Sequence, residues 1–236
     1  MRSLILLFFL VSSIFAQTKN ADEIINNVKE KFGSVQDYKV DLKIEVDMEF
    51  LRIPKVSATV YFKQPDKMKM DSRDFAILPK EGINFSPINM LNKNFTSIYV
   101  KEDTLKKANV DVIKIIPLSD SSNVILTTLW IDSQNNIIRK VETTTKNRGT
   151  LVANLNYDKM IKFGLPSEMN FSFNVEDPKL QEMMEMQTGT AQQNPSKTNK
   201  NLAGKIKVTY SNYEVNKGID DSFFEKEKEN EKSKKQ

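Results

Sequence analysis

The sequence predicts an α+β fold that is mostly β: an antiparallel sheet with one solvated face and one apolar face, opened by an amphipathic helix and covered by short helical segments. Three observations carry this. From Lys39 to Phe50, apolar Val40, Leu42, Ile44, Val46, Met48 and Phe50 alternate with charged Lys39, Asp41, Lys43, Glu45, Asp47 and Glu49. Period two over that length is a strand with one wet and one dry face. The alternation returns at Val56-Ala58-Val60-Phe62, at Leu151-Ala153-Leu155-Tyr157, at Met169-Phe171-Phe173-Val175 and at Ile206-Val208-Tyr210. Strand follows strand through short turns, which pairs neighbours antiparallel.

The elements follow in chain order. Residues 1–16 carry Arg2, an apolar run from Leu4 to Val11, and Ser12, Ser13 and Ala16 near a cut point. This is the pattern of a secretory signal peptide, and the run is shorter than the roughly 20 residues of a spanning helix. Cleavage near Ala16 is expected. With no Cys at the cut site to carry a lipid anchor, the mature chain is expected to be released and soluble. Asn20 and Glu23 mark a helix start, Ile24, Val28 and Phe32 form one stripe, and Gly33 is expected to stop a helix over 21–32. Leu126–Asp132 and Ile137–Thr145 read as a hairpin turning at Ser133–Asn136. Trp130 falls between Thr128 and Asp132, and the pattern does not decide its face.

Two interruptions break the strands. Ser86-Pro87 opens a short helical segment with Ile88, Met90 and Leu91, and after Asp177-Pro178 come Leu180, Met183 and Met184 at helical spacing. The polar run from Thr188 to Asn201 reads as a mobile loop, so 178–201 forms a helical and mobile insert. Residues 225–236 carry no apolar face, nine of the twelve being charged, and read as a solvated tail. Residues 17–224 are thus expected to form a single domain.

Composition narrows the chemistry. The 236 residues include no His and no Cys, which excludes a Ser-His-Asp triad, a Cys nucleophile, a disulfide and an imidazole or thiolate metal site. Lys+Arg number 35 against 31 Asp+Glu, interspersed rather than clustered, which does not describe a nucleic-acid binder. Asp220-Asp221 and Asp71 with Asp74 have no neighbouring base or anion hole, and Ser196-Lys197 sits in the polar loop. No catalytic residue, metal site or cofactor is expected.

The methionines are more informative. Met48, Met68, Met70, Met90, Met169, Met183, Met184 and Met186 fall on or near the apolar face and its covering segments. Met is flexible and polarisable, which suits surfaces that fit variable apolar shapes. The expected cavity face comprises Val40, Leu42, Ile44, Val46, Met48, Val56, Val60, Phe62, Met68, Met70, Met169, Phe171 and Phe173. The expected lid comprises Ile88, Met90, Leu91, Leu180, Met183 and Met184.

Several segments resemble one family: Tyr61-Phe62-Lys63-Gln64-Pro65-Asp66-Lys67-Met68, Leu129-Trp130-Ile131-Asp132, Ile138-Arg139-Lys140-Val141-Glu142, Gly164-Leu165-Pro166, and Tyr210-Ser211-Asn212-Tyr213 with Phe223. Over about residues 21–224 the chain is similar to the outer-membrane lipoprotein-sorting proteins, the LolA-like carriers. The resemblance implies a strongly curved, incomplete antiparallel barrel under a helical lid. It implies a periplasmic monomer whose cavity takes lipoprotein acyl chains or other lipids, received from an inner-membrane donor complex and passed to an outer-membrane acceptor. In that family an Arg stands before the Pro of the Tyr/Trp-x-Lys-x-Pro segment and latches the lid. That position is Gln64 here, and a neutral amide cannot form a charge-assisted latch. The alternative reading on the same scaffold is a sensor or interaction module that regulates envelope processes by binding a protein or lipid.

Overall fold

The computed structural model describes residues 19–48, 54–72, 91, 94–119, 122–146, 149–175 and 202–224. The expected signal peptide, Ile88, Met90, Leu180, Met183, Met184, the expected 178–201 insert, the tail from 225 and the side chain of Met48 lie outside them.

Helix α1 spans Ala21–Gly33, and the strands are β1 (Asp37–Met48), β2 (Val56–Lys63), β3 (Lys67–Asp71), β4 (Phe95–Leu105), β5 (Ala108–Pro117), β6 (Val124–Asp132), β7 (Ile137–Thr145), β8 (Gly149–Asn156), β9 (Glu168–Val175) and β10 (Leu202–Val215). They form one ten-stranded antiparallel sheet in the order β3-β2-β1-β10-β9-β8-β7-β6-β5-β4. The sheet curves without closing, and β3 and β4 are its free edges.

Asn20 caps α1 by accepting from the Asp22 N–H, as expected. The stop differs from the expectation. Gly33 is the last helical residue, and the turn is made by Ser34, whose N–H bonds to Glu30 O and whose hydroxyl donates to Lys31 O at 2.7 Å. The stripe is also wider than three residues, because Ile25 is buried beside Ile24 and Val28.

The two chain ends of the sheet are tied together at the start of β1. The buried Asp37 carboxylate accepts the N–H groups of Lys217 and Gly218 at 2.9 and 3.1 Å. Asn216 accepts from Gln36 N at 2.7 Å and donates to Ser34 O at 3.0 Å. Gln64 belongs to the same knot: its amide donates to Val35 O at 3.2 Å, and its backbone N–H to Gln36 O at 2.8 Å.

The β4–β5 hairpin was not legible as a separate pair. Its turn is Lys106-Lys107, both with positive φ (49° and 69°), where Asn-Gly is the common choice. Trp130 lies on the outer face, opposite Lys140, whose Nζ sits 3.9 Å from the ring centroid.

Strand direction alternates, so the sheet has two unlike ends. At one, strands join through 64–66, 106–107, 133–136 and the 157–167 connection with its 3-10 turn Ile161–Phe163. From the other leave 49–53, 72–94, 118–123, 146–148 and 176–201. These are called the turn end and the loop end. The connection from β3 to β4 runs from one free edge of the sheet to the other, and Leu91 within it is fully buried. Among the described residues no helix is long and apolar enough to cross a membrane.

Candidate functional site

The inner face of the sheet is built row by row from the strand register. One row runs Val46–Ile206–Phe171–Ala153–Val141–Leu129–Ile113–Tyr99, apolar across eight strands. Toward the turn end, Ile44, Val208, Met169 and Leu155 form the next row. Toward the loop end comes Met48–Gly204–Phe173–Leu151–Thr143–Thr127–Ile115. Gly204 puts no side chain between Met48 and Phe173, and the buried Thr127 and Thr143 hydroxyls bond each other at 3.2 Å.

The expected cavity residues divide by position. Val40, Leu42, Ile44, Val56, Val60, Met169 and Phe171 are buried in one cluster with the α1 stripe and Leu91. Val46, Met68 and Met70 are half-buried against it. Phe173 is half-buried toward the loop end, and Phe62 is buried under Phe32 and Tyr38. Of the expected lid, Leu91 alone falls among the described residues.

The formed cleft lies at the turn end, between α1, the 157–167 connection and β10. It encloses about 90 Å³, and its walls include Val28, Phe32, Ile137, Leu165, Pro166 and Met169. Four tyrosines complete the lining: Tyr38, Tyr157, Tyr210 and Tyr213. Tyr157 donates to Ile138 O at 2.8 Å, Tyr213 to Pro166 O at 2.9 Å, and Tyr210 lies 3.0 Å from the Met169 sulfur. The Tyr38 hydroxyl has no partner among the described residues. Burial pushes the Tyr38 phenol up to about 12, and it raises Tyr157, Tyr210 and Tyr213 as well, so all four stay neutral and act as apolar surface with a polar tip.

Met169 is the one expected cavity residue in this cleft. Gly164, Leu165, Pro166, Tyr210 and Tyr213, which carry part of the family resemblance, are gathered here by the fold. Gly164 holds φ +67°, the left-handed conformation that ends the 3-10 turn, and its N–H bonds back to Ile161 O.

A second, polar hollow of about 430 Å³ lies beside the turn end of β4 and β5, lined by Lys19, Glu102, Asp103, Asp111, Ser133 and neighbours. Asp111 is buried and accepts from Lys19 Nζ at 2.8 Å, from Tyr99 at 3.2 Å and from Ser133. Burial works to raise its carboxyl, but the hydrogen bonds from Lys19 and Ser133 outweigh it and hold the group below the ordinary carboxylate range. Asp132 is held low in the same way, its burial outweighed by Arg139 at 2.8 Å and by Asn135. Both carboxylates are therefore ionised at neutral pH and spent on fixing turns. Asp221 is bound by Lys63 and Lys67, and Asp220 accepts from the Ser222 N–H. Among the described residues no three His, Cys, Asp or Glu side chains gather as metal ligands.

Three crystal structures share this fold over most of both chains. A domain described as an outer membrane lipoprotein-sorting protein from Vibrio parahaemolyticus matches at TM-score 0.56 and 11% identity, over 88% of this chain and 98% of that one. A LolA superfamily protein from Nitrosomonas europaea matches at TM-score 0.57 and 12% identity, over 87% and 97%. A DUF1329 family protein from Desulfovibrio piger matches at TM-score 0.58 and 10% identity, over 88% and 98%. No family model and no curated protein matches the sequence.

Proposed function

We propose that this chain, whose fold is LolA-like, is a non-catalytic carrier that holds the acyl chains of a lipoprotein or another lipid against the inner face of its sheet. The observation that carries this reading is the extent of that face. Ten strands at about 4.8 Å spacing span about 43 Å, whereas a helix the length of α1 is only about 20 Å long. Helix α1 alone cannot cover eight-strand apolar rows. In this reading the rest is left to the curl of the sheet, to the lid expected of Ile88, Met90, Leu91, Leu180, Met183 and Met184, and to cargo.

The energetics suit such a ligand. Two acyl chains bring about 30 methylenes, each worth about 0.8 kcal/mol when fully buried. The formed cleft, at about 90 Å³, is smaller than the roughly 300 Å³ at which small-ligand sites begin. In this reading loading widens the interior by parting α1 from the sheet. In this account residues 1–16 direct the mature chain, with its single domain over 17–224, to the periplasm. There it takes cargo from an inner-membrane donor complex and yields it to an outer-membrane acceptor.

Titration with a fluorescent fatty-acid probe tests the reading. The wild type is expected to bind saturably. Met70→Glu and Phe173→Glu, which put a carboxylate on the half-buried part of the face, are expected to bind at least about tenfold more weakly with unchanged circular dichroism. Absence of saturable binding by the wild type would overturn it.

A further inference from the structure

Every large hydrophobic side chain exposed among the described residues lies on, or directly after, one of three neighbouring strands. Ile98 and Val100 are on β4, Ile116 is near the end of β5, Leu118 follows it, and Ile125 is at the start of β6; they are 40–63% exposed. Apolar residues scattered singly over a surface need no explanation, but a gathered patch does. Ile98 stands opposite Lys114 and Thr96 opposite Ile116, so Ile98 and Ile116 are diagonal neighbours about 7–8 Å apart. Lys114 is exposed in their midst, and among the described residues it has no ion pair. Thr128 flanks it on β6. Leu118 stands at the loop end, as does Ile125 in the bulge between Val124 and Leu126.

The composition of the patch points to its occupant. Protein partners are gripped mainly by Trp, Tyr and Arg, and Leu and Val are poor in such contacts. Aliphatic side chains around a lysine that can extend its ammonium into the headgroups suit a bilayer surface. The positive charge at the centre is complementary to anionic lipid. We propose that the outer face of β4 and β5 toward the loop end docks onto an anionic lipid bilayer through Ile98, Ile116 and Leu118 with Lys114. The inference concerns the outer face and stands apart from the carrier reading.

Flotation with vesicles of phosphatidylethanolamine and phosphatidylglycerol tests it. The wild type is expected to float with these vesicles and less with phosphatidylcholine alone. The double variant Ile116→Asp/Leu118→Asp is expected to reduce the floating fraction about fivefold or more, and Lys114→Glu to reduce it in part. All these positions are exposed, and an unchanged thermal melt verifies the fold. Failure of the wild type to float, or flotation of the double variant at the wild-type level, overturns the proposal. So does a concentration-dependent dimer that the same substitutions dissolve while vesicle binding persists, since the occupant would then be a second copy. The fatty-acid titration separates the two proposals: the double variant is expected to bind the probe like the wild type, and loss of probe binding in both proteins would count against the carrier alone.

Discussion

Lys19 and Asp111 join the residue that precedes the Asn20 cap of α1 to strand β5, with Lys19 Nζ 2.8 Å from the buried Asp111 carboxylate. Lys19 also reaches Glu102 at 2.7 Å. The helix is thereby anchored at its start to the β4–β5 hairpin, while Lys31 near its other end donates to Asn135 O at 2.5 Å.

This anchor gives a pH dependence with a definite sign. The Asp111 carboxyl is held below its ordinary value of 3.8 in the folded protein. Its contribution is therefore full above that value and is lost as pH falls through the lower folded value. Asp111→Asn is expected to cost about 2 kcal/mol at neutral pH, since Lys19 loses its charged partner and the pair is only partly screened. Below about pH 4 the wild type should lose stability faster than the variant, and the two should converge. Thermal melts from about pH 7 down to about pH 2 check this. Parallel curves would contradict it.

The tyrosines around the cleft are not equivalent. Tyr157→Phe leaves the Ile138 carbonyl without its 2.8 Å donor and is expected to cost about 1 kcal/mol. Tyr38→Phe removes a hydroxyl with no partner among the described residues and is expected to change stability by less than about 0.5 kcal/mol. Urea unfolding of the two variants side by side measures the difference.

The Lys106-Lys107 turn carries two side chains in left-handed backbone, with φ of 49° and 69°. Replacing the pair by Asn-Gly is expected to stabilise the protein by about 1 kcal/mol, because both residues accept that conformation cheaply. The exposed 3.1 Å bond from Lys106 to Asn156 would be lost and offsets little. A rise in the urea midpoint at constant slope is the expected result.

What the sequence revealed follows the range of its signals. The inner face of β1 was legible because Val40, Leu42, Ile44 and Val46 alternate with charges, so pattern alone assigns the faces. The β4–β5 hairpin escaped because Ile98, Val100 and Ile116 make its outer face apolar too, and its turn lacks Asn or Gly. Trp130 needed β7, since Lys140 marks the outer face only once the register is known. The turn-end cleft was hidden for a different reason. Tyr38 and Tyr213 stand nearly opposite each other on β1 and β10, with ring centroids 5.9 Å apart, yet they are separated by most of the chain. That pairing, between the first strand and the last, is invisible to any local window. Gly164-Leu165-Pro166 and Tyr210 could have been grouped only through the resemblance that singled them out.

The central claim is that the inner face shelters lipid, and native mass spectrometry of the protein recovered from a periplasmic fraction tests it most directly. The account predicts species heavier than the mature polypeptide by the mass of a lipid or an acylated protein, released by delipidation and restored by added fatty acid. Bare polypeptide alone, with no uptake of acyl chains after delipidation, would contradict it.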